Sequence, residues 1–202
     1  MSTTVTAAEV KELRERTGAG LMDAKGALLE AEGDLDKAIE ILRVKGQASA
    51  AKRSGRETAE GVISSYVHAN GKIGVLVEVQ CETDFVARNE EFGEFAREVA
   101  LHIAAAAPRY VSAEEIAEDE VEAERAISEA KAREEGKPDN VVPKIVEGQL
   151  AKWRKEIALL DQVHVNADKH EGKTIDQLRT EISATTGENV RIARFARFVL
   201  GE

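Results

Sequence analysis

The sequence predicts an α+β protein, a helical N-terminal domain followed by a small antiparallel sheet covered by helices. Three observations carry this. Three short stretches of helical apolar spacing, each bounded by a cap or a glycine, lie before residue 46. Two alternating apolar runs, Val62 to Val67 and Ile73 to Val79, flank the dipeptide Asn70-Gly71. Phe92, Phe95, Ala96, Val99 and Ile103 then recur at helical spacing and offer a cover for one face of the sheet. The expected division is 1–45 for the three helices, 46–60 for a linker and 61–202 for the α+β domain.

The first helix opens on Thr6-Ala7-Ala8-Glu9, a capping box with Thr6 at the N-cap and Glu9 three residues on. It carries Val10 and Leu13 on one face and ends at Gly18-Ala19-Gly20. A second helix is expected from about Leu21 to Ala31, with Gly33 as its stop. Gly26 falls inside it, at a cost of about 1 kcal/mol relative to alanine. Asp34 caps a third helix, with Leu35, Ala38, Ile39 and Leu42 at helical spacing. Residues 46–60 are poor in large apolar side chains and read as a linker, helical in part. Lys52, Arg53 and Arg56 there have two readings, contact with an acidic partner or ribosomal RNA, or plain solvation.

In the α+β domain Asn70-Gly71 predicts a tight type I′ hairpin, which needs positive φ at both central residues. Ile73, Val75, Val77 and Val79 alternate onto one face, and Pro108 ends the helix that covers them. The next helix is peripheral, with a thin stripe of Ala123, Ala126, Ile127 and Ala130, and Gly136-Lys137-Pro138 stops it. A helix from about Val142 to Glu156 aligns Val146, Leu150 and Trp153, with Trp153 expected in the core. Thr174 to Thr185 forms a last short helix. Val190 to Leu200 closes the chain as a strand with Ile192, Phe195 and Phe198 out of strict alternation, which implies a bulge or burial on both faces.

The formal net charge is −10. Ser112 to Gly136 holds ten acidic residues against three basic ones and reads as a solvated helix face. An acidic chain is a poor direct partner for nucleic acid, because phosphate neutralisation needs Lys and Arg. No apolar run reaches membrane-spanning length. Met1-Ser2-Thr3-Thr4-Val5 lacks the charged and apolar regions of a signal peptide. Cys81 is the single cysteine, so no intrachain disulfide can form, which fits a reducing cytoplasm.

The most informative stretch is Thr83-Asp84-Phe85-Val86-Ala87-Arg88-Asn89. It connects the Ile73–Val79 strand to the Phe92 helix, and such connections carry function when rigid elements hold them. A carboxylate beside an aromatic suits insertion into another protein. Taken alone, the stretch also fits Phe85 as a core residue and Asp84 as a cap. The wider context is Val10-Lys11-Glu12-Leu13-Arg14-Glu15-Arg16-Thr17-Gly18-Ala19-Gly20-Leu21-Met22-Asp23-Ala24-Lys25 near the N-terminus. Ala27-Leu28 and Gly33-Asp34-Leu35-Asp36-Lys37-Ala38-Ile39 follow. With Cys81 to Asn89, Ile145-Val146-Glu147-Gly148 and Gly187-Glu188-Asn189-Val190, these resemble the bacterial translation elongation factor Ts family over nearly the whole chain.

The resemblance implies a guanine-nucleotide exchange factor that promotes GDP release from elongation factor Tu during polypeptide elongation. It implies that residues 1–45 form a ubiquitin-associated-type three-helix domain. Phe85 is implied as a wedge in the partner's GTP-binding domain, with Asp84 positioning the turn and Thr83, Val86, Arg88 and Asn89 shaping it or adding contacts. Arg14, Leu21 and Met22 are implied as docking residues, although Met22 also fits a small-bundle core. His102 is implied to approach the partner's phosphate-binding region, although it also fits a half-buried helix position. Long members of this family carry a second copy of the core region. One copy is present here, which implies a homodimer joined through the α+β domain.

No catalytic constellation is legible, so the chain is not expected to be an enzyme. His68, His102, His164 and His170 include no pair at zinc-ligand spacing, and there is no second cysteine. Gly18-Ala19-Gly20 lacks the strand and lysine of a phosphate-binding loop. Neither metal nor cofactor is expected, and Cys81 reads as a buried structural thiol. The competing functional class is an adaptor that binds a ubiquitin-like or helical partner through its three-helix domain. That reading leaves the Thr83–Asn89 stretch without a role.

Overall fold

The structure, a computed structural model, describes residues 5–201. Met1 to Thr4, part of the stretch read for a signal peptide, lie outside the described residues. The chain forms two compact units. One gathers Met1–Val62, Val79–Phe95 and Gln177–Arg191, and the other Ile63–Glu78, Ala96–Asp176 and Ile192–Glu202.

The first unit begins with three helices. α1 (Ala7–Thr17) starts with the expected capping box: the Thr6 hydroxyl accepts from Glu9 N, and the Glu9 carboxylate accepts from Thr6 N. α2 spans Leu21–Glu30. α3 (Leu35–Arg53) is capped by Asp34, whose Oδ1 accepts from Asp36 N at 3.0 Å and Lys37 N at 3.1 Å. Val10, Leu13, Ala24, Ala27, Leu28, Ala31 and Ala38 form the buried core, with Leu35, Ile39 and Leu42 partly buried around it. Four of its seven buried residues are alanines, so the helices approach closely around a thin core. Gly26 is exposed, with open space where a Cβ would stand, so its helix-propensity cost is not offset by a close contact there. α3 continues into the segment set apart as a linker, because Ala48, Ala50 and Ala51 are strong helix formers.

The sheet has β1 (Glu60–Val67), β2 (Ile73–Cys81) and β3 (Arg191–Val199), in the order β1-β2-β3, all antiparallel. Gly61 has φ 151°, and a Cβ there would stand 2.2 Å from the Val79 carbonyl oxygen, so only glycine fits. The hairpin is present, but its turn is not the expected type I′. Of Asn70 and Gly71 only Gly71 takes positive φ, at 67°. The connection is longer than two residues: His68 N bonds Ile73 O, Gly71 N bonds His68 O, and Asn70 Oδ1 accepts from Lys72 N. A longer loop with one left-handed glycine replaces two left-handed residues.

β2 buries Val75, Val77, Val79 and Cys81. After a one-turn α4 (Asp84–Ala87), α5 (Glu90–Ala106) buries the predicted stripe of Phe92, Phe95, Ala96, Val99 and Ile103. Ala107 takes φ 51° just before Pro108 and ends it. Arg197 of β3 donates to the Ala104 carbonyl of α5. The inner residues of β3 are thus Ala193, Phe195, Arg197 and Val199, while Ile192 is buried out of phase with them. On the other face Ile63, Leu76, Arg194, Ala196 and Phe198 are exposed.

In the second unit α6 (Glu118–Glu134) lies against α7 (Val142–Ile157). The face of α6 that is buried is not the expected one. Val121, Ser128 and Ala132 are buried, whereas Ala123, Ala126 and Ala130 are exposed and Ile127 is 62% exposed. Small side chains, including a serine, allow close approach to α7, and that contact outweighs a count of apolar residues. Trp153 packs partly buried on Ala132, Val142, Val146 and Leu150. The last helix, α8, spans Ile175–Thr186. Among the described residues no helix is long and apolar enough to cross a membrane.

Candidate functional site

The Thr83–Asn89 stretch leaves β2 at Cys81 and is tied at both ends. Thr83 is the N-cap of α4 in extended conformation, and its hydroxyl accepts from Val86 N at 3.4 Å. The Thr83 carbonyl accepts from Ala87 N at 3.1 Å and from the Cys81 thiol at 3.2 Å. Asn89 then turns the chain into α5, its Oδ1 accepting from Glu91 N at 2.8 Å. The connection is therefore one capped helical turn rather than an open loop.

A second segment of the same unit holds this turn from outside. In the last turn of α8, Ser183 Oγ donates to the carbonyl of Glu188, just beyond the helix, at 2.6 Å. Glu188 Oε2 accepts from Glu82 N and Thr83 N, both at 3.0 Å, and its Oε1 accepts from the Thr83 hydroxyl at 2.6 Å. The exchange is reciprocal, since Glu82 Oε1 accepts from Asn189 N at 2.6 Å. Arg56 pairs with Glu82 at 3.3 Å, and the buried Asn189 donates to the carbonyls of Ser54 and Arg56. Glu188 and Asn189 fall in the Gly187–Val190 motif and Glu82 in the Cys81–Asn89 run, but neither motif names these contacts; Arg56, read as a contact to a partner or as solvated, instead pairs with Glu82 inside the chain.

What this frame presents is Phe85, which is 80% exposed. Phe85 is not a core residue, and α4 buries none of its side chains. Asp84 is half-buried and pairs with Arg88 at 2.9 Å, and Val86 is half-buried. In the N-terminal helices Leu21 is 57% exposed and Met22 74%, which removes Met22 from the bundle core. Arg14, also exposed, donates from Nε to the Ala19 carbonyl and braces the turn before Leu21. That turn abuts α8, because a Cβ on Gly18 would stand 3.4 Å from Thr185. Gly46 approaches Ala184 in the same way, and Arg53 donates to the Ser183 carbonyl at 2.9 Å. The C-terminal end of α8 thus touches the N-terminal helices and leads directly into the residues that hold Thr83.

The histidines lie in the second unit, and His102 is placed otherwise than expected. His102 is fully buried rather than half-buried. Its Nδ1 accepts from Val165 N at 3.1 Å, so Nε2 carries the proton and donates to Gln162 Oε1 at 2.8 Å. Burial holds the ring neutral, with its pKa lowered to about 4. It offers no surface to a partner, because its hydrogen bonds close the 162–165 segment over it. His164 repeats the arrangement: Nδ1 accepts from Asn166 N at 3.1 Å, Nε2 faces the Glu98 carbonyl at 3.2 Å, and burial lowers its pKa. Glu98 also receives Lys169 at 2.7 Å and His170 at 3.3 Å. Burial alone raises its pKa, but the bonds from Lys169 and His170 outweigh it and hold the carboxyl below its usual value.

Spacing along the chain concealed this cluster. The ligand-type atoms of Glu98, His164 and His170 lie within 4.8 Å of one another, the separation a cation would use. A metal needs a bare ring nitrogen, and a metal-bound histidine donates through its other one. The backbone N–H at Nδ1 leaves the proton of His164 on Nε2, the nitrogen that faces Glu98. The cluster is satisfied by its own protons. Cys81 is equally inert: burial, and after it the Glu188 charge, push its thiol up to about 11.

The family described as Elongation factor TS matches residues 35–202. The chain is 57% identical over 198 residues to Elongation factor Ts of Geobacter metallireducens, covering 98% of this chain and 90% of that one. It is 56% identical to Elongation factor Ts of Carboxydothermus hydrogenoformans, with the same coverage. With that of Caldanaerobacter subterraneus subsp. tengcongensis the identity is 53% and the coverage 98% of each chain.

Proposed function

The chain belongs to the elongation factor Ts family, and from that premise we propose that it is a guanine-nucleotide exchange factor that promotes GDP release from elongation factor Tu. The observation that carries this is Phe85, 80% exposed on a turn whose backbone is bonded on both sides. An exchange factor performs no chemistry of its own. It must bind the nucleotide-free partner better than the loaded one, and linkage makes the two ligands weaken each other equally. A ligand with equal affinity for both states shifts nothing. A flexible loop would adapt to both states, whereas a fixed apolar wedge fits only a displaced arrangement.

On this reading Phe85 is the wedge. Asp84 and Arg88 make the polar contacts beside it, and Thr83, Val86 and Asn89 give the turn its shape. Arg14, Leu21 and Met22 dock the three-helix domain, residues 1–45, on the partner. His102 acts only by supporting the segment packed over it. The site of action is the cytoplasm, with no direct nucleic-acid contact. Release of labelled GDP from elongation factor Tu, with and without this protein, tests the reading. The wild-type chain accelerates release and Phe85→Ala loses most of the acceleration, while unaccelerated release by the wild type overturns it.

The open face of the sheet supports a homodimer as part of the same proposal. Ile63, Val67, Phe198 and Leu200 are each more than 60% exposed there, with Leu76 at 49%. A groove of about 270 Å³ between Ile63, Leu76, Arg194 and Ala196 runs along it. Apolar patches of this kind on a sheet face are normally covered, and a two-fold copy is the commonest cover. Sedimentation equilibrium at micromolar concentration reads a dimer for the wild type and a monomer for Ile63→Lys/Phe198→Glu. A wild-type monomer with full exchange activity rejects the dimer.

A further inference from the structure

We propose that the carboxylate of Glu188 is the positioning group of the Phe85 turn, fixing the angle at which the wedge is presented; this rests on the exchange reading above. α4 has four residues and buries none of them. A helix that short has no stability of its own, and Phe85 is directed to solvent. With Val86 and Ala87 only partly buried, packing alone does not fix the position of the turn. Of the other bonds of Thr83, those to Val86 and Ala87 move with the turn, and the one from Cys81 ties it only to the strand it leaves. The bonds to Glu188 come from a segment 105 residues away.

The ladder of β2 ends at Cys81, so the next two amides, Glu82 N and Thr83 N, lie beyond its last residue. Glu188 receives both on one oxygen and the Thr83 hydroxyl on the other. A carboxylate suits this task because it is acceptor-only, and three donors can converge on its two charged oxygens. Its own backbone is fixed at its carbonyl by Ser183 Oγ, and the next residue, Asn189, is buried and bonded to Glu82, Ser54 and Arg56. The carboxylate is thus held from behind by hydrogen bonds, and the wedge it positions is exposed. A carboxamide at this position keeps one acceptor oxygen for the two amides but turns a donor toward the Thr83 hydroxyl.

The test compares GDP release from elongation factor Tu by the wild type, Glu188→Ala, Glu188→Gln, Phe85→Ala and Phe85→Ala/Glu188→Ala. Amide hydrogen exchange at Glu82 and Thr83 is followed in each. Glu188→Ala loses at least about tenfold in the accelerated rate, and Glu188→Gln loses less. The Glu82 and Thr83 amides exchange faster by a similar factor in Glu188→Ala, with the α8 amides unchanged. In the Phe85→Ala background, removing Glu188 costs nothing further, because there is no wedge left to position. Independent, additive losses overturn the proposal, since they mean Glu188 acts otherwise than through Phe85. A wild-type rate in Glu188→Ala, with Phe85→Ala impaired, also overturns it and leaves the exchange reading standing. If Phe85→Ala keeps the wild-type rate, the wedge itself is wrong and with it the proposal. Should Glu188→Ala not fold, Glu188→Gln takes its place. A wild-type rate with unchanged amides there overturns the need for the carboxylate.

Discussion

The Thr83 turn and the histidine cluster around Glu98 are both dense polar networks, and they use their hydrogen bonds to opposite ends. In the turn, the amides of Glu82 and Thr83, the Thr83 hydroxyl and the Thr83 carbonyl are all occupied, and an apolar ring is left outside. In the cluster, His102 and His164 are buried with their tautomers set by backbone amides, and nothing reactive is left outside. Residue chemistry alone ranks the two the other way round, since histidines and a glutamate look functional and a phenylalanine does not. Rigidity around an exposed apolar group signals a binding device. A satisfied network around buried titratable groups signals a fastening.

Substitutions in the two regions are expected to have opposite effects. Phe85→Ala is expected to lose at least about tenfold in accelerated GDP release while unfolding free energy stays within about 0.5 kcal/mol, because the ring buries little. His102→Ala is expected to destabilise by about 2–4 kcal/mol, from the cavity and the orphaned Val165 N–H and Gln162. Its exchange activity, measured well below its melting temperature, stays near the wild-type rate. Denaturant melts and GDP release on both variants decide the matter. If Phe85→Ala is the unstable one, or stable His102→Ala the inactive one, the roles are reversed.

A pH series sharpens the fastening side. The pKa of His102 is about 4 in the folded chain against an ordinary 6.5, and that of His164 is lowered in the same direction. Between these values the unfolded chain binds protons that the folded chain refuses, so stability rises with pH there. The contribution is fully present above pH 6.5, falls on acidification and levels off near pH 4. For His102 alone it is on the order of 3 kcal/mol. Unfolding midpoints between pH 7.5 and 4.5 check this against His102→Gln, which keeps a polar partner for Gln162 but does not titrate. The variant is expected to show a visibly shallower pH slope. An unchanged slope assigns the titration to other groups.

The two regions were unequally legible in the sequence, for a physical reason. Local chemistry reads well: the Thr6–Glu9 capping box, the Asp34 cap and the Phe92–Ile103 stripe all stand where spacing put them. The Cys81–Asn89 run was legible as a motif, and the structure adds that Phe85 faces water. What brought each network together was not legible. Glu188 reaches Thr83 across 105 residues, and His164 reaches Glu98 across 66. No local period encodes such a pairing. The α6 face failed differently, because a rule that counts Ile127 and ignores Ser128 cannot foresee helices packed through small side chains. The type I′ turn failed because the strands stop short of Asn70-Gly71 and leave a longer loop.

The smallest expected effect separates residues that hold the turn from those that touch the partner. Arg88 pairs with Asp84 one helical turn away at 2.9 Å, and its side chain is 77% exposed. Surface pairs at this spacing contribute about 0.3–0.5 kcal/mol, which is near the error of a denaturant melt. Arg88→Ala should therefore leave stability and the hydrogen exchange of the Thr83 amide unchanged, in contrast to Glu188→Ala. If Arg88 contacts the partner, its loss lowers accelerated GDP release several-fold at low salt and less at high salt, because screening weakens exposed ionic contacts. A stability loss above about 1 kcal/mol would place Arg88 with Thr83 and Glu188 among the holding residues. An unaltered exchange rate at every salt concentration would confine the contact set of the turn to Asp84 and Phe85. In that case one ring and the carboxylate beside it do the work of the turn, and the rigidity behind Phe85 matters all the more.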